Sequence, residues 1–421
     1  MKLSFKTTFR FSLILILGIT ACRDKNSIYN TDYEPERPDP VITSITPEIG
    51  YLSEVDSIIV TGENFSSVLD EVLIDFGGTP GIVHSATPTQ LVVRPGSAYG
   101  EAVPVRVSVR NALYFSNTYN YKLEDPYASY PGLSEHIALS ALAIDAEDNI
   151  YTILEKGGTV RYTKVSPDGI LETDEVKYPG EPRPNPKDTR AYPTDSTMRY
   201  TSYSSMKIGP ENKLYMTQAS VRAIFVKTFG DNFREAVWSS SSNRSAKFFD
   251  ILFDNNGYLW AVGSGSDNIH RFSTTDKSET LFPFMGNLTA VALYNNSLYV
   301  GGSQDGENVS IWKFDIDGSG NLINETLYFD FTSNYDGTIK SMMFSSTGEL
   351  FVATTAAESI VQISGNGTHQ PFYPDVLKSG SYSLTWRSDK FAIVAVSNAD
   401  EDPSVNIINM YDKTRAPIFG F

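Results

Sequence analysis

Between residues 124 and 421 one short pattern recurs six times: a hydrophobic strand, a polar turn, then a second strand carrying an aromatic or bulky apolar residue. The copies are Ala141–Tyr151, Ser205–Tyr215, Asp250–Trp260, Ala290–Tyr299, Ser341–Phe351 and Ser383–Ile393. A third strand follows each at a similar offset, at Thr159–Thr163, Ala223–Lys227, Ile269–Ser273, Ser310–Phe314, Ser359–Ile363 and Asn406–Met410. Units of roughly 50 residues leave room for four short strands and their loops. One four-stranded sheet cannot bury both of its faces. Packing six around an axis buries the aromatic positions between neighbours and leaves only short edges. The pattern predicts an all-β chain ending in a β-propeller of six blades, with seven as the alternative because the first and sixth units are weak.

Ring closure admits two solutions. Ala416–Phe421 can serve as the outer strand of blade six, making every blade contiguous, or that strand is drawn from residues 124–135. One insertion interrupts the repeat. Tyr178–Pro193, rich in proline, and Thr194–Tyr200 separate blade one from blade two. A loop of that length is uncommon unless functional or disordered. It joins an outer strand to the next inner strand, on the face where propellers usually bind ligands. The units resemble NHL-type propeller repeats, most clearly in the turn Asp254-Asn-Asn-Gly257.

Residues 41–122 follow a different rule. Short alternating strands at Val41–Ile45, Ser57–Thr61, Glu71–Phe76, Gln90–Arg94, Val103–Val109 and Asn117–Tyr121 are separated by turn residues, the signature of a sandwich. Pro47–Gly50, Thr61-Gly-Glu-Asn-Phe65, Asp75-Phe-Gly-Gly78 and the stretch from Ser85 through Thr89-Gln-Leu-Val-Val93 resemble an IPT/TIG domain, which implies an immunoglobulin-like fold and a spacer role. Gly62 fits a turn needing positive φ, and Phe65 a core plug.

Lys2, Lys6 and Arg10 precede a short apolar run, Phe11–Ile19, and a break at Ile19-Thr-Ala-Cys22. The run is too short for a stable membrane span and reads as a secretory signal peptide over residues 1–21. The break resembles the bacterial lipobox, which implies cleavage before Cys22 and acylation of its thiol. Cys22 is the only cysteine, so no intrachain disulfide exists and stability must come from the core. Residues 22–40, rich in proline and charge, read as a flexible tether. Removing residues 1–21 moves the formal charge from −16 to −19. Such a surface repels nucleic acid, and membrane contact is expected through lipid.

Chemistry-bearing motifs are sparse. Of the four histidines, His84, His136, His270 and His369, none has a partner at metal-ligand spacing, and His270 reads as a structural or surface residue. No Gly-x-Ser-x-Gly elbow or phosphate-binding glycine loop occurs, so no cofactor and no catalytic residue is assigned. The nearest thing to a metal site is Asp315-Ile-Asp317-Gly-Ser319, similar to the start of a calcium loop but without the acid at the twelfth position, which is Thr326. A plain turn is the alternative. Aromatics before inner strands, Tyr200, Tyr203, Phe248, Tyr335 and Tyr382, are candidates to stack on a sugar or grip an apolar side chain. Asp267 and Asp305, after second strands, would supply polar contacts. Trp260 and Trp312 read as core.

A lipobox, a TIG spacer and a propeller head resemble the accessory surface lipoproteins of Bacteroidetes nutrient-uptake systems. That resemblance implies an outer-membrane location, partners of the SusC/SusD-like importer class, and capture of a glycan or peptide without catalysis. Arg23-Asp-Lys25 departs from the acidic cluster usual in their surface-export signals. The alternatives are a structural subunit of the importer complex, or a polysaccharide lyase or hydrolase with dispersed carboxylates.

Overall fold

The computed structural model describes residues 36–51, 58–96, 98–125, 127–133, 141–156, 159–174, 192–193, 203–219, 222–230, 233–240, 244–373, 377, 381–387, 391–397 and 404–409. The signal peptide, Cys22 and most of the tether lie outside the described residues. So does the insertion, apart from Tyr192–Pro193. No described helix is long and apolar enough to cross a membrane. The strands fall into two units.

The first is a sandwich. One sheet runs Val41–Thr46, Ile58–Glu63, Gln90–Arg94, Ile82–Ala86 in spatial order. The other runs Ile49–Tyr51, Tyr119–Glu124, Gly100–Val109, Val72–Phe76, Thr79–Pro80. Alternation along Gly100–Val109 sets its core face: Val103, Val105, Val107 and Val109 are buried, while Pro104 and Arg106 are exposed. Phe65 plugs this core, as its position implied. Gly62 is required for a different reason from a turn. It lies within a strand, and an added Cβ would overlap the Val41 carbonyl oxygen and the Phe65 ring. The positive φ falls on Asn64, at 62°.

The end of the expected tether is also corrected. Asp39 Oδ1 accepts the backbone N–H groups of Leu113 and Tyr114, at 3.1 and 2.8 Å. Arg37 pairs with Glu71 at 2.7 Å. Residues 36–40 are therefore docked on the sandwich.

The second unit is a propeller of six blades. Their inner strands are Leu142–Ile144, Ser205–Gly209, Lys247–Phe253, Asn287–Tyr294, Ile339–Phe344 and Ser381–Trp386. Each touches the next, and the sixth touches the first, so the ring is closed. Closure uses the alternative route: Tyr127–Ser129 pairs antiparallel with Asn406–Ile408 as the outer strand of blade six. Ala416–Phe421 lies outside the described residues. Blade two gains a fifth strand from the insertion, with Tyr192 opposite Arg234 and Pro193 opposite Phe233.

Each of the six blade interfaces has its own apolar core. Trp260, Val262, Leu288, Val300 and Trp312 fill the one between blades three and four, so both tryptophans are core as expected. Burying one such large side chain contributes about 1.5–3 kcal/mol. A polar belt joins the inner strands as well. Bulges recur at Phe248/Asp250, Leu288/Ala290 and Ile339/Ser341. There Asp250 Oδ2 accepts Val291 N–H of the next blade at 3.0 Å, and Ser341 Oγ accepts Leu384 N–H at 3.2 Å. Thr289 Oγ donates to the Ile339 carbonyl at 2.7 Å. The bulge exposes backbone groups and the neighbouring side chains satisfy them.

Candidate functional site

Antiparallel order within a blade puts two kinds of loop on one face of the ring: the second-to-third-strand loop, and the loop leading to the next inner strand. Blades three to five show how they assemble. Gly265 lies against the Ser245 carbonyl, Gly286 against Gln304 and Gly337 against Ala356, and a Cβ at any of them would collide. The paired loops therefore pack closely on this face.

The expected ligand-binding residues separate into three groups. Tyr200 lies outside the described residues, as does the side chain of Tyr382 in its inner strand. Tyr203 and Phe248 are corrected: both are core. Tyr203 is 3% exposed, with its hydroxyl 2.6 Å from that of Tyr162 across the interface of blades one and two. Phe248, 1% exposed, meets Phe272 and His270 edge to face. Tyr203, just before its inner strand, and Phe248, second in its own, both point back into the interface with the preceding blade.

The third group stays accessible. Asp267 is exposed at the tip of the blade-three loop with φ 52°, and its carbonyl accepts the Phe284 N–H at 3.0 Å. Asp305 is exposed on the blade-four loop, but its oxygens serve the turn, accepting the N–H groups of Glu307 and Asn308 at 2.9 and 2.7 Å. Those N–H groups hold its carboxyl far below the usual carboxylate range. Tyr335 is half-buried. Its hydroxyl contacts His369 Nδ1 at 2.7 Å and its ring packs on Phe331. His369 opens an outer strand, so Tyr335 belongs to the outer rim between blades four and five. Burial raises its phenol pKa.

The calcium-like segment is a turn between the third and outer strands of blade four. Asp317 Oδ1 accepts the N–H groups of Ser319 and Asn321, both at 2.8 Å. Asp315 is engaged by Ser297, Asn324 and Lys313. The Ser319 and Gly320 carbonyls accept from Arg271, whose guanidinium lies over Tyr258, 4.2 Å from the ring centre. No group of three or more His, Cys, Asp or Glu able to hold a metal occurs among the described residues.

One arrangement was not visible in sequence. His270 Nε2 lies 2.8 Å from Ser266 Oγ, and Nδ1 lies 2.8 Å from Glu279 Oε1. Ser266 is on the blade-three loop beside Asp267, His270 on the third strand, and Glu279 on the outer strand two places from His270's partner Leu281. His270 is 1% exposed, and burial holds its pKa below the ordinary value although Glu279 pulls the other way. The imidazole is therefore neutral at pH 7. With Nδ1–H donated to Glu279, Nε2 is left as acceptor for the Ser266 hydroxyl. A neutral base aimed at a hydroxyl and oriented by a carboxylate can take up a proton at Oγ. Ser266 itself is 8% exposed. The signal available in sequence was Ser266 and His270 straddling a tight turn; the register that brings in Glu279 was not.

No curated protein matches the chain's sequence. Among solved structures, a luciferin-regenerating enzyme is 14% identical, with 70% of this chain and 98% of that one covered and a TM-score of 0.51. A gluconolactonase from Xanthomonas campestris is 13% identical over 67% and 88%, with a TM-score of 0.49. An auxiliary nutrient binding protein from Bacteroides ovatus is 11% identical over 89% and 99%, with a TM-score of 0.47. At these identities the likeness is one of fold. It corrects the expectation that the chain is not an enzyme, because the luciferin-regenerating enzyme performs catalysis on this architecture. The N-terminal unit is the part with a family match: the IPT/TIG model covers residues 40–124, and the two sheets described above are built from that segment, which is an IPT/TIG domain.

Proposed function

We propose that this chain is an outer-membrane lipoprotein, acylated at Cys22, whose propeller binds a glycan or peptide nutrient beside a SusC/SusD-like importer. The IPT/TIG domain is its spacer. The observation that carries the binding reading is Asp267. Its carboxylate is exposed at the tip of a closely packed loop, whereas that of Asp305 is consumed by its own turn. A carboxylate in that position suits sugar hydroxyls or a peptide ammonium group. Lipid anchoring raises the effective concentration near the importer, so modest affinity suffices. The test is a glycan and peptide array probed with the chain from residue 22 onward. Binding that weakens in Asp267→Asn supports the reading. Absence of binding to any ligand, together with co-purification with an importer, replaces it with a structural subunit.

Ser266, His270 and Glu279 favour a second reading, hydrolysis with Ser266 as nucleophile and His270 as base. A fluorophosphonate probe tests it. Labelling at Ser266 that disappears in His270→Gln supports hydrolysis, and an unlabelled Ser266 in the native chain rules it out.

A further inference from the structure

Leu113, Tyr114 and Phe115 form the tip of the loop between Gly100–Val109 and Tyr119–Glu124, and they are 47%, 67% and 55% exposed. Three consecutive large apolar side chains in water are unfavourable unless something covers them. The tip is built rather than frayed. Asn111 turns the chain at φ 68°, Ser116 N–H bonds the Val107 carbonyl at 2.8 Å, and Ser116 Oγ accepts Val107 N–H at 2.9 Å. Asp39 Oδ1 holds the Leu113 and Tyr114 N–H groups from the other side.

The chain also enters the sandwich here. Asn111 Nδ2 donates to Glu36 Oε2 at 2.7 Å, so the first described residue is fixed to the loop that carries the tip. Fourteen steps separate Glu36 from Cys22, at most about 50 Å of extended chain. Arg106, paired with Asp75 at 3.4 Å, lies over the Phe115 ring at 5.3 Å, and Arg110 is exposed five residues before that ring, while the acids Glu36 and Asp39 bond the same loop. Aromatic and aliphatic side chains beside arginines are the composition that settles at a bilayer interface.

We infer that Leu113, Tyr114 and Phe115 seat the IPT/TIG domain on the lipid surface that carries the Cys22 acyl chains. The inference rests on the anchored reading above. Insertion of the tip gives the sandwich a second attachment beside the tether, so the domain stands on the membrane in one orientation.

The test uses the single cysteine. The full chain from residue 22 is coupled through Cys22 to a maleimide lipid in phosphatidylcholine vesicles with brominated acyl chains, so tip insertion is read whether or not cells acylate the thiol. All four native tryptophans are buried, and Tyr114→Trp adds one exposed reporter. The expected result is blue-shifted reporter emission and at least twofold quenching by the brominated chains, both lost when Leu113 and Phe115 are also changed to Ser. A reporter that stays water-like overturns the inference. So does a reporter that shifts only on adding outer-membrane protein, because the tip then meets a protein partner. Separately, mass spectrometry showing an unmodified Cys22 in the native protein overturns the anchored reading, independently of the vesicle result.

Discussion

Trp260 Nε1 donates to Asp254 Oδ2 at 2.8 Å, across the turn joining the first two strands of blade three. Blade one repeats the contact with Tyr151 and Asp145, again six residues apart, at 2.9 Å. Both carboxylates are buried and their other oxygens accept turn N–H groups, Asn256 and Tyr258 in one case, Glu147 and Asn149 in the other. One acid thus closes the turn and fixes the aromatic that fills the blade interface. Blade five has Ser345 and Phe351 at these places, an aromatic without a donor and a serine whose hydroxyl is engaged by Thr347 and Glu349.

Trp260→Phe leaves a buried carboxylate oxygen without its donor. The expected cost is about 1–3 kcal/mol, plus the smaller ring's lost packing, read as a lower urea midpoint at unchanged slope. Adding Asp254→Ser copies the blade-five pair. The double change is expected to cost less than the sum of the two single changes, since the unpaired charge is gone. Strict additivity would mean that the two side chains do not act as a pair.

Blade two has Gly209 where blades one and three have the acid. A Cβ there would lie 2.6 Å from Phe253 Cζ and 2.7 Å from Tyr215 Cδ2. Gly209→Ala is expected to destabilise by about 1–3 kcal/mol through overpacking. Gly318→Ala is the control, because nothing lies within 4 Å of its added Cβ. Equal urea midpoints for the two variants would rule out the steric account.

The buried, neutral His270 makes stability depend on pH. Its folded pKa is lowered, first by desolvation, against an unfolded value of 6.5. Above that value both states are neutral and the group contributes no slope. Below it the unfolded chain takes up a proton that the folded chain resists, so stability falls as pH drops toward the folded pKa. Between pH 7.5 and 5.5 the native chain is expected to lose more stability than His270→Gln. Parallel denaturation profiles for the two would contradict it.

These contacts show what was legible in the sequence. The six inner and second strands could be read because alternation of apolar residues is local, and the aromatic on the second strand of blades one to five marks the blade interfaces. Closure by Tyr127–Ser129 was only one of two options, because three residues carry little pattern and their partner lies almost 280 residues away. Tyr203 and Phe248 were misplaced because an aromatic beside a loop looks the same whether it faces solvent or a neighbouring blade. Glu279 meets His270 and Ser266 only through strand register, which residue type does not encode.

Ring closure gives a kinetic prediction. Ala128 pairs with Ile407 in the closing strand. Ala128→Pro removes a backbone donor there and clashes with regular pairing, at a cost of about 3 kcal/mol or more when the donor is engaged. Hydrogen exchange should accelerate in Ser404–Asn409 and then in Leu142–Ile144, which the opened blade no longer covers. Acceleration confined to the variant site would mean that the closing strand is not holding the ring.

Asp267 carries the proposed binding role, and its backbone decides how to test it. At φ 52° most side chains are strained, but asparagine tolerates this region about as well as aspartate. Asp267→Asn therefore removes the charge while keeping the turn, whereas alanine would confound charge with strain. The Asn variant is expected to bind the array-identified ligand at least tenfold more weakly by calorimetry, with an unchanged melting temperature. Asp305→Ala is the opposite case. Its carboxylate holds Glu307 and Asn308 in the turn, so its loss should lower the melting temperature and affect binding only through the loop. Were Asp267→Asn to bind at native strength, the exposed carboxylate would be a solvated surface charge and the binding face would have to be sought elsewhere on the ring.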